Sequence, residues 1–122
     1  MAARIREICI NCSDPEVMAR FWSAALGYPE IERDETSVGI MGAPDRPSIL
    51  FTRTDDVGGP PKVGRNRLHL DLSPSGCDQE TEVRRLEQLG AVRIDIGQGS
   101  PSWVVLADPE GNEFCVLSSR DR

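Results

Sequence analysis

Residues 65–74 read Arg65-Asn66-Arg67-Leu68-His69-Leu70-Asp71-Leu72-Ser73-Pro74 and contain the only histidine of the chain. Three leucines alternate there with His69, Asp71 and Ser73, so the pattern predicts a strand with one aliphatic and one polar face. A strand that is polar on one side faces either water or a ligand cavity. His69 and Asp71 are therefore candidate site residues, and a solvated imidazole at the sheet surface is the alternative.

Length and composition limit the classes of protein to which this chain can belong. A chain of 122 residues with 39% hydrophobic and 28% charged residues is typical of one globular domain. Its formal net charge of −6 argues against sequence-independent nucleic-acid binding, which needs a basic surface. No apolar stretch is long enough for a signal peptide or a membrane span. We therefore expect a cytoplasmic protein without nucleic-acid or membrane partners, in which the four cysteines are reduced.

Residues 4–53 predict one strand, one helix and three further strands. Ile5–Cys12 alternates as a strand and places Glu7 on its polar face. Ser13–Glu16 has the pattern of a capping box at a helix start, and Gly27 ends the helical apolar stripe that follows. The remaining strands are expected at 29–33, 37–41 and 48–52.

Residues 65–119 repeat this order after residues 54–64, which are rich in Pro and Gly and are expected to form a linker. Caps precede a second helix that ends at Gly90, and strands are expected at 91–96, 102–107 and 113–118. Glu7 precedes Gly27 by 20 residues, and His69 precedes Gly90 by 21. The two side chains therefore occupy nearly equivalent places in the two halves.

A duplication of this kind predicts the architecture of the whole chain. We expect residues 1–122 to form a single α+β domain of two βαβββ modules related by a pseudo-two-fold axis. The mixed half-sheets of the two modules should form a cup with their polar strands inside, so that Glu7 and His69 face each other.

These features together resemble the vicinal oxygen chelate superfamily, and within it the small bacterial glyoxalase-like domain proteins. The resemblance rests on the paired modules, on His69 at the head of the second module and on the closing motif Asp108-Pro-Glu-Gly-Asn-Glu-Phe-Cys-Val116. The superfamily includes glyoxalase I, extradiol dioxygenases, fosfomycin-resistance enzymes and bleomycin-binding proteins. The resemblance covers almost the whole chain.

The resemblance implies a candidate metal site with ligands on the first and last strands of each module. Glu7, His69 and Cys115 match three of the four places, and the fourth falls near Leu50, which cannot coordinate a metal. The cofactor stays open, as a zinc, nickel, manganese or iron ion or none, and a metal-free cup is favoured. Glu7 and His69 are the candidate catalytic residues. Glyoxalase I activity is not expected, because Cys115 stands where the family usually has a glutamate.

Two classes of function fit these residues. The first is an enzyme, a metal-assisted lyase, isomerase or dioxygenase that acts on a small oxygen-rich molecule. The second is a protein that binds an antibiotic or metabolite without transforming it. Asp71 and Trp103 are the candidate substrate-binding residues, whereas Trp22 lies on the helical stripe and is expected in the core. The resemblance also implies a homodimer.

Overall fold

The computed structural model describes residues 1–54, 64 and 66–119. It divides into two compact units, Met1–Pro61 and Lys62–Arg122. The elements of the first unit are β1 (Glu7–Cys12), α1 (Pro15–Leu26), β2 (Glu30–Arg33), β3 (Ser37–Met41) and β4 (Ser48–Arg53). Those of the second are β5 (Asp71–Leu72), α2 (Gln79–Leu89), β6 (Val92–Arg93), β7 (Val104–Ala107) and β8 (Glu113–Val116).

Both units have the same sheet topology. The first sheet has the order β1-β4-β3-β2, in which β1 and β4 are parallel and the other neighbours are antiparallel. The second sheet has the order β5-β8-β7-β6, with β5 and β8 parallel and the rest antiparallel. The prediction of an α+β fold built from two βαβββ modules is confirmed.

The register of the parallel strand pairs agrees with the equivalence drawn from the sequence. Cys9 pairs with Leu50 in the first sheet, and Asp71 pairs with Cys115 in the second. Glu7 lies two residues before Cys9, and His69 lies two residues before Asp71. Each therefore stands two residues ahead of the residue that pairs with Leu50 or with Cys115, the two last-strand positions that the resemblance makes equivalent.

Helix α1 begins and ends where its sequence allows. Asp14 caps the N-terminus, since its Oδ1 accepts a hydrogen bond from the backbone N–H of Val17 over 3.2 Å. The expected capping box with Ser13 is wrong, and Glu16 instead accepts from Arg33 at 2.6 Å. Gly27 closes the helix at a φ of 67°, a left-handed conformation that favours glycine.

The apolar face of α1 packs against β3 and β4 to form the core of the first unit. Trp22 is almost completely buried there, as expected, and its ring makes an edge contact with Phe21, with 5.1 Å between the centroids. The other large buried side chains of this core come from the helix and from alternate strand positions, and they include Met18, Val38, Ile40, Ile49 and Phe51.

Helix α2 has the same role in the second unit. Asp78 caps it by accepting a hydrogen bond from the backbone N–H of Thr81 over 2.8 Å. Val83 and Leu86 are fully buried, and the helix contacts β8, whose Phe114 and Val116 are also buried. Because side chains alternate along a strand, the intervening residues of β8 face away from the helix.

All four strands of the second unit are shorter than predicted: β7 begins at Val104 and β8 ends at Val116, and β5 and β6 each have two residues. The backbone N–H groups of Ile96 and Gly97 bond to the side chains of Gln98 and Asp95, so they do not extend the ladder of β6. In β5 the carbonyl of Leu70 accepts from the N–H of Cys115, whereas Leu68 is 84% exposed. The expected aliphatic face therefore does not reach Leu68.

The predicted linker at residues 54–64 falls mostly outside the described residues, and the module limits 4–53 and 65–119 stay predictions. Within the described part of the chain, neither helix has the length and apolar character needed to cross a bilayer.

Candidate functional site

A pocket of about 360 Å³ opens on the second unit, on the face of its sheet that α2 leaves uncovered. Ligand sites in proteins are commonly roughly 300–1,000 Å³, so a small molecule fits this space. The polar lining residues are Asn66, His69, Asp71, Gln98, Glu113 and Cys115. The apolar lining residues are Ile96, Trp103, Val105 and Leu117.

A tight turn between β7 and β8 sets the side chains that form the floor of the pocket. The carboxylate of Asp108 accepts the backbone N–H groups of Glu110 and Asn112, at 2.9 and 3.0 Å, and the side-chain amide of Asn112 as well. Since this turn fixes the start of β8, Phe114 and Val116 enter the core, while Glu113 and Cys115 line the pocket.

Three different donor atoms converge in the pocket. Nε2 of His69 lies 3.1 Å from Oδ1 of Asp71, and a nitrogen of His69, an oxygen of Asp71 and Sγ of Cys115 all lie within 4.8 Å of one another. Asp71 and Cys115 are paired residues of adjacent strands, which explains their proximity. Zinc takes N, O and S ligands, and three protein ligands leave a fourth position open, so this donor set fits such an ion.

Trp103 is held beside the pocket by a contact that crosses the second unit. The side-chain amide of Gln79, at the start of α2, donates to the carbonyl of Ser102 at 2.8 Å and to that of Val116 at 3.0 Å. It therefore fixes the residue before Trp103 against the end of β8. The indole remains 41% exposed and can still receive a ligand on its face.

Glu113 is a pocket residue that the sequence analysis missed although the sequence contains a signal for it. It is buried, and its Oε1 accepts a hydrogen bond from the backbone N–H of Asn66. The signal was present in the sequence: Glu113 lies two residues before Cys115 on a predicted strand, so both side chains point to the same face. Asn66 and Gln98 were also missed, because their place depends on how loops fold back over the sheet.

The predicted site residues divide between the two units. His69, Asp71, Trp103 and Cys115 all line the pocket of the second unit. Glu7 is exposed at the start of β1 in the first unit, where its Oε2 lies 3.8 Å from Sγ of Cys9. Partial burial and the neighbouring carboxylate raise the pKa of the Cys9 thiol. A role for Glu7 in catalysis or metal binding stays a prediction.

Comparison with known proteins gives one family. The Glyoxalase-like domain family matches residues 7–117 of this chain. A search of curated proteins found no match to the chain. Protein ATC0852 from Agrobacterium tumefaciens is similar over 96% of this chain and 98% of its own, with a TM-score of 0.73 and 13% identity.

Two further solved structures share the fold. A glyoxalase/bleomycin resistance protein/dioxygenase family enzyme from Burkholderia phytofirmans covers 93% of this chain and 97% of its own, at a TM-score of 0.67 and 19% identity. The fosfomycin resistance protein FosX from Mesorhizobium loti is similar over 96% of this chain and 92% of its own, with a TM-score of 0.64 and 14% identity. At such identities the likeness establishes the fold alone. The family match over residues 7–117 makes this chain a member of the glyoxalase-like domain family, in the vicinal oxygen chelate superfamily.

Proposed function

We propose that this protein binds a small molecule in the pocket of its second unit. The observation that carries the proposal is the convergence of six polar side chains and a half-exposed tryptophan around a space of about 360 Å³. Ligand sites combine an apolar wall with a few polar groups that fix orientation, and this pocket has both.

The lining residues suggest separate roles. Trp103 offers a flat apolar surface at the pocket wall, and Val105, paired with Cys115 across β7 and β8, forms part of the floor. His69, Asp71 and Glu113 supply the polar groups that orient a ligand. Because of the family to which the chain belongs, we expect its ligand to be a small antibiotic or metabolite.

Ligand-observed NMR with a library of small aromatic and polar fragments tests the proposal. Fragments should bind the wild type, and Trp103→Ala should weaken them by about tenfold, because stacking adds roughly 1 kcal/mol to burial. Val92→Ala is the matched control, since Val92 is also an exposed apolar residue of the second unit but does not line the pocket. Equal binding by Trp103→Ala and the wild type contradicts the proposal.

The donor cluster favours a second candidate function, a metal-assisted lyase, isomerase or dioxygenase. His69, Asp71 and Cys115 would hold the divalent ion, which as a Lewis acid would polarise the oxygens of a small oxygen-rich substrate. Trp103 would position such a substrate, and the carboxylate of Glu113 lines the same space. This ligand set lies entirely in the second unit. It contains Asp71 in place of Glu7, which the sequence analysis predicted as a metal ligand.

A further inference from the structure

The ladder between β6 and β7 ends before it reaches the pocket. In its last pair, Arg93 lies opposite Leu106. Continued in this register, the ladder would pair Ile96 with Trp103 and bring their side chains together on one face of the sheet. In the structure neither of these two residues belongs to a strand, and both line the pocket.

The side chain of Gln98 takes the place of the missing partner strand. Its Oε1 accepts the backbone N–H of Ile96 at 2.7 Å, and its Nε2 donates to the carbonyl of Ile94 at 3.3 Å. The N–H of Ile94 donates to the carbonyl of Val105, so this edge of the chain faces β7. In a regular antiparallel pair, the backbone groups that Gln98 occupies would bond to β7 and to the segment before it. The amide of Gln98 therefore keeps Trp103 from pairing with Ile96.

The loop around Gln98 has a backbone that suits this arrangement. Gly97 and Gly99 lie on either side of it with φ of 86° and 73°, in the left-handed region that favours glycine. A Cβ at either position would lie in open space, so conformation rather than crowding explains both glycines. The carboxylate of Asp95 also accepts the N–H of Gly97 at 2.8 Å. The loop can therefore return the side chain of Gln98 to the end of β6 without backbone strain.

Gln79 fixes the other side of the gap. Its amide donates to the carbonyls of Ser102 and Val116, and so ties the residue before Trp103 to the end of β8. Because both glutamine amides bond to the backbone, this wall of the pocket offers a ligand mainly the apolar side chains of Ile96 and Trp103. A flat ring fits between an aliphatic and an aromatic surface better than a puckered ring of similar size, since both of its faces can be covered at van der Waals distance.

We infer that Ile96 and Trp103 form a slot for a flat ring of the ligand, and that Gln98 and Gln79 are positioning residues that hold this slot open. The inference rests on the proposed binding function and adds to it the class of ligand, a molecule that carries a planar aromatic ring. Each glutamine acts through the backbone at or beside a residue of the slot.

2-Naphthol and trans-decahydro-2-naphthol form the probe pair, because they share one skeleton and one hydroxyl group and only the first is flat. Each is titrated into the protein at pH 7 with a chelator present, and the indole N–H signal of Trp103 is followed by NMR. The saturated probe buries at least as much apolar surface, so burial alone does not favour the flat one. 2-Naphthol should bind at least about fivefold more tightly, and NOEs from its rings should reach both Ile96 and Trp103.

Gln98→Met keeps the length of the side chain and removes both of its hydrogen bonds. This variant should reduce the preference for 2-naphthol to less than about twofold, because nothing then holds the slot open. Gln79→Met should act in the same direction. Gln88→Met is the matched control, since Gln88 lies on α2 outside the pocket and undergoes the same chemical change, and it should leave the preference as in the wild type.

A purely structural role of the two glutamines would lower the free energy of unfolding in urea without changing the ratio of the two affinities. An unchanged ratio in folded Gln98→Met, or equal binding of both probes by the wild type, overturns this inference and leaves the binding pocket intact. The same holds if neither probe binds although other library fragments do. If no fragment binds at all, the proposed function is wrong and this inference with it. Should Gln98→Met not fold, the wild-type ratio and the NOEs to Ile96 decide the question.

Discussion

The imidazole of His69 and the carboxylate of Asp71 lie 3.1 Å apart, measured from Nε2 to Oδ1. Asp71 is the first residue of β5, His69 lies two residues before it, and Cys115 pairs with Asp71 on the neighbouring strand. One nitrogen, one oxygen and one sulfur donor thus share a small volume within one module. The same three atoms either hold a divalent ion or form part of a metal-free binding surface.

Zinc binding separates these two uses of the cluster. If the ion is held there, the wild type should bind one zinc in a competition titration, and Cys115→Ser should weaken it at least about tenfold, since even outer-shell changes commonly cost 10–100-fold. Cys77→Ser is the control, because Cys77 is exposed and outside the cluster. Absence of zinc binding, or equal loss in both serine variants, excludes the metal-assisted function at this site.

The ligand set is tested by two further carboxylate variants. Asp71→Asn should weaken zinc if the second unit alone supplies the ligands, whereas Glu7→Gln should weaken it if the set predicted from the sequence is correct. Zinc affinity is compared at one pH, because protons compete with the metal for all these groups.

The core of the second unit depends on Leu86. This side chain is fully buried between α2 and the sheet, so Leu86→Ala should lower the free energy of unfolding by about 2–5 kcal/mol in urea denaturation. Leu89→Ala, on the same helix but 38% exposed, should cost roughly 1 kcal/mol or less. Equal losses in the two variants would contradict the packing of α2 described above.

Helix α2 should make stability depend on pH through Asp78. Hydrogen bonds from the side chain and the backbone of Thr81 hold the pKa of Asp78 below its usual range. A lowered folded-state pKa adds stability above the unfolded value of about 3.9, and this contribution is lost as the pH falls through the folded value. The wild type should therefore exceed Asp78→Asn in melting temperature near pH 6 and lose that advantage as the pH falls below the unfolded value.

The asparagine variant removes the charge but keeps an oxygen that accepts the N–H of Thr81, so it tests the effect of the charge separately from that of the capping hydrogen bond. Asp78→Ala removes both and should lower the melting temperature across the whole range. A difference between wild type and Asp78→Asn that does not change with pH would show that Asp78 does not titrate as described.

The homodimer implied by the family resemblance stays a prediction. Exposed apolar side chains such as Ile5 and Val92 are available for burial in an interface. Sedimentation equilibrium at micromolar concentration should give twice the monomer mass, which is 13.4 kDa. A monomer mass at that concentration would contradict the prediction.

Much of the fold was predictable because local patterns and tertiary packing agree. The alternation in β3 gave its limits, Ser37–Met41, and left-handed Gly27 ends α1 as predicted. The end of β6 was not predictable, because the side chain of Gln98 takes the backbone N–H of Ile96, which the pattern assigned to a strand.

The candidate site was predictable where it lies on strands. Alternation places His69 and Asp71 on one face of their strand, and on β8 it places Glu113 on the same face as Cys115. The position of Trp103 was not predictable in the same way, because Gln79 from α2 fixes the preceding residue across the unit. Such long-range contacts have no periodic signal in the sequence.

The most direct test of the central claim is a ¹H–¹⁵N correlation spectrum recorded with fragments that bind. Trp103 lines the pocket and Trp22 is buried in the other unit, so the two indole N–H signals report separate places. Binding should shift the indole of Trp103 and the side-chain amide of Gln98, and it should leave the indole of Trp22 in place. Bound fragments that shift signals of the first unit and leave Trp103 unmoved would contradict the assignment of the site.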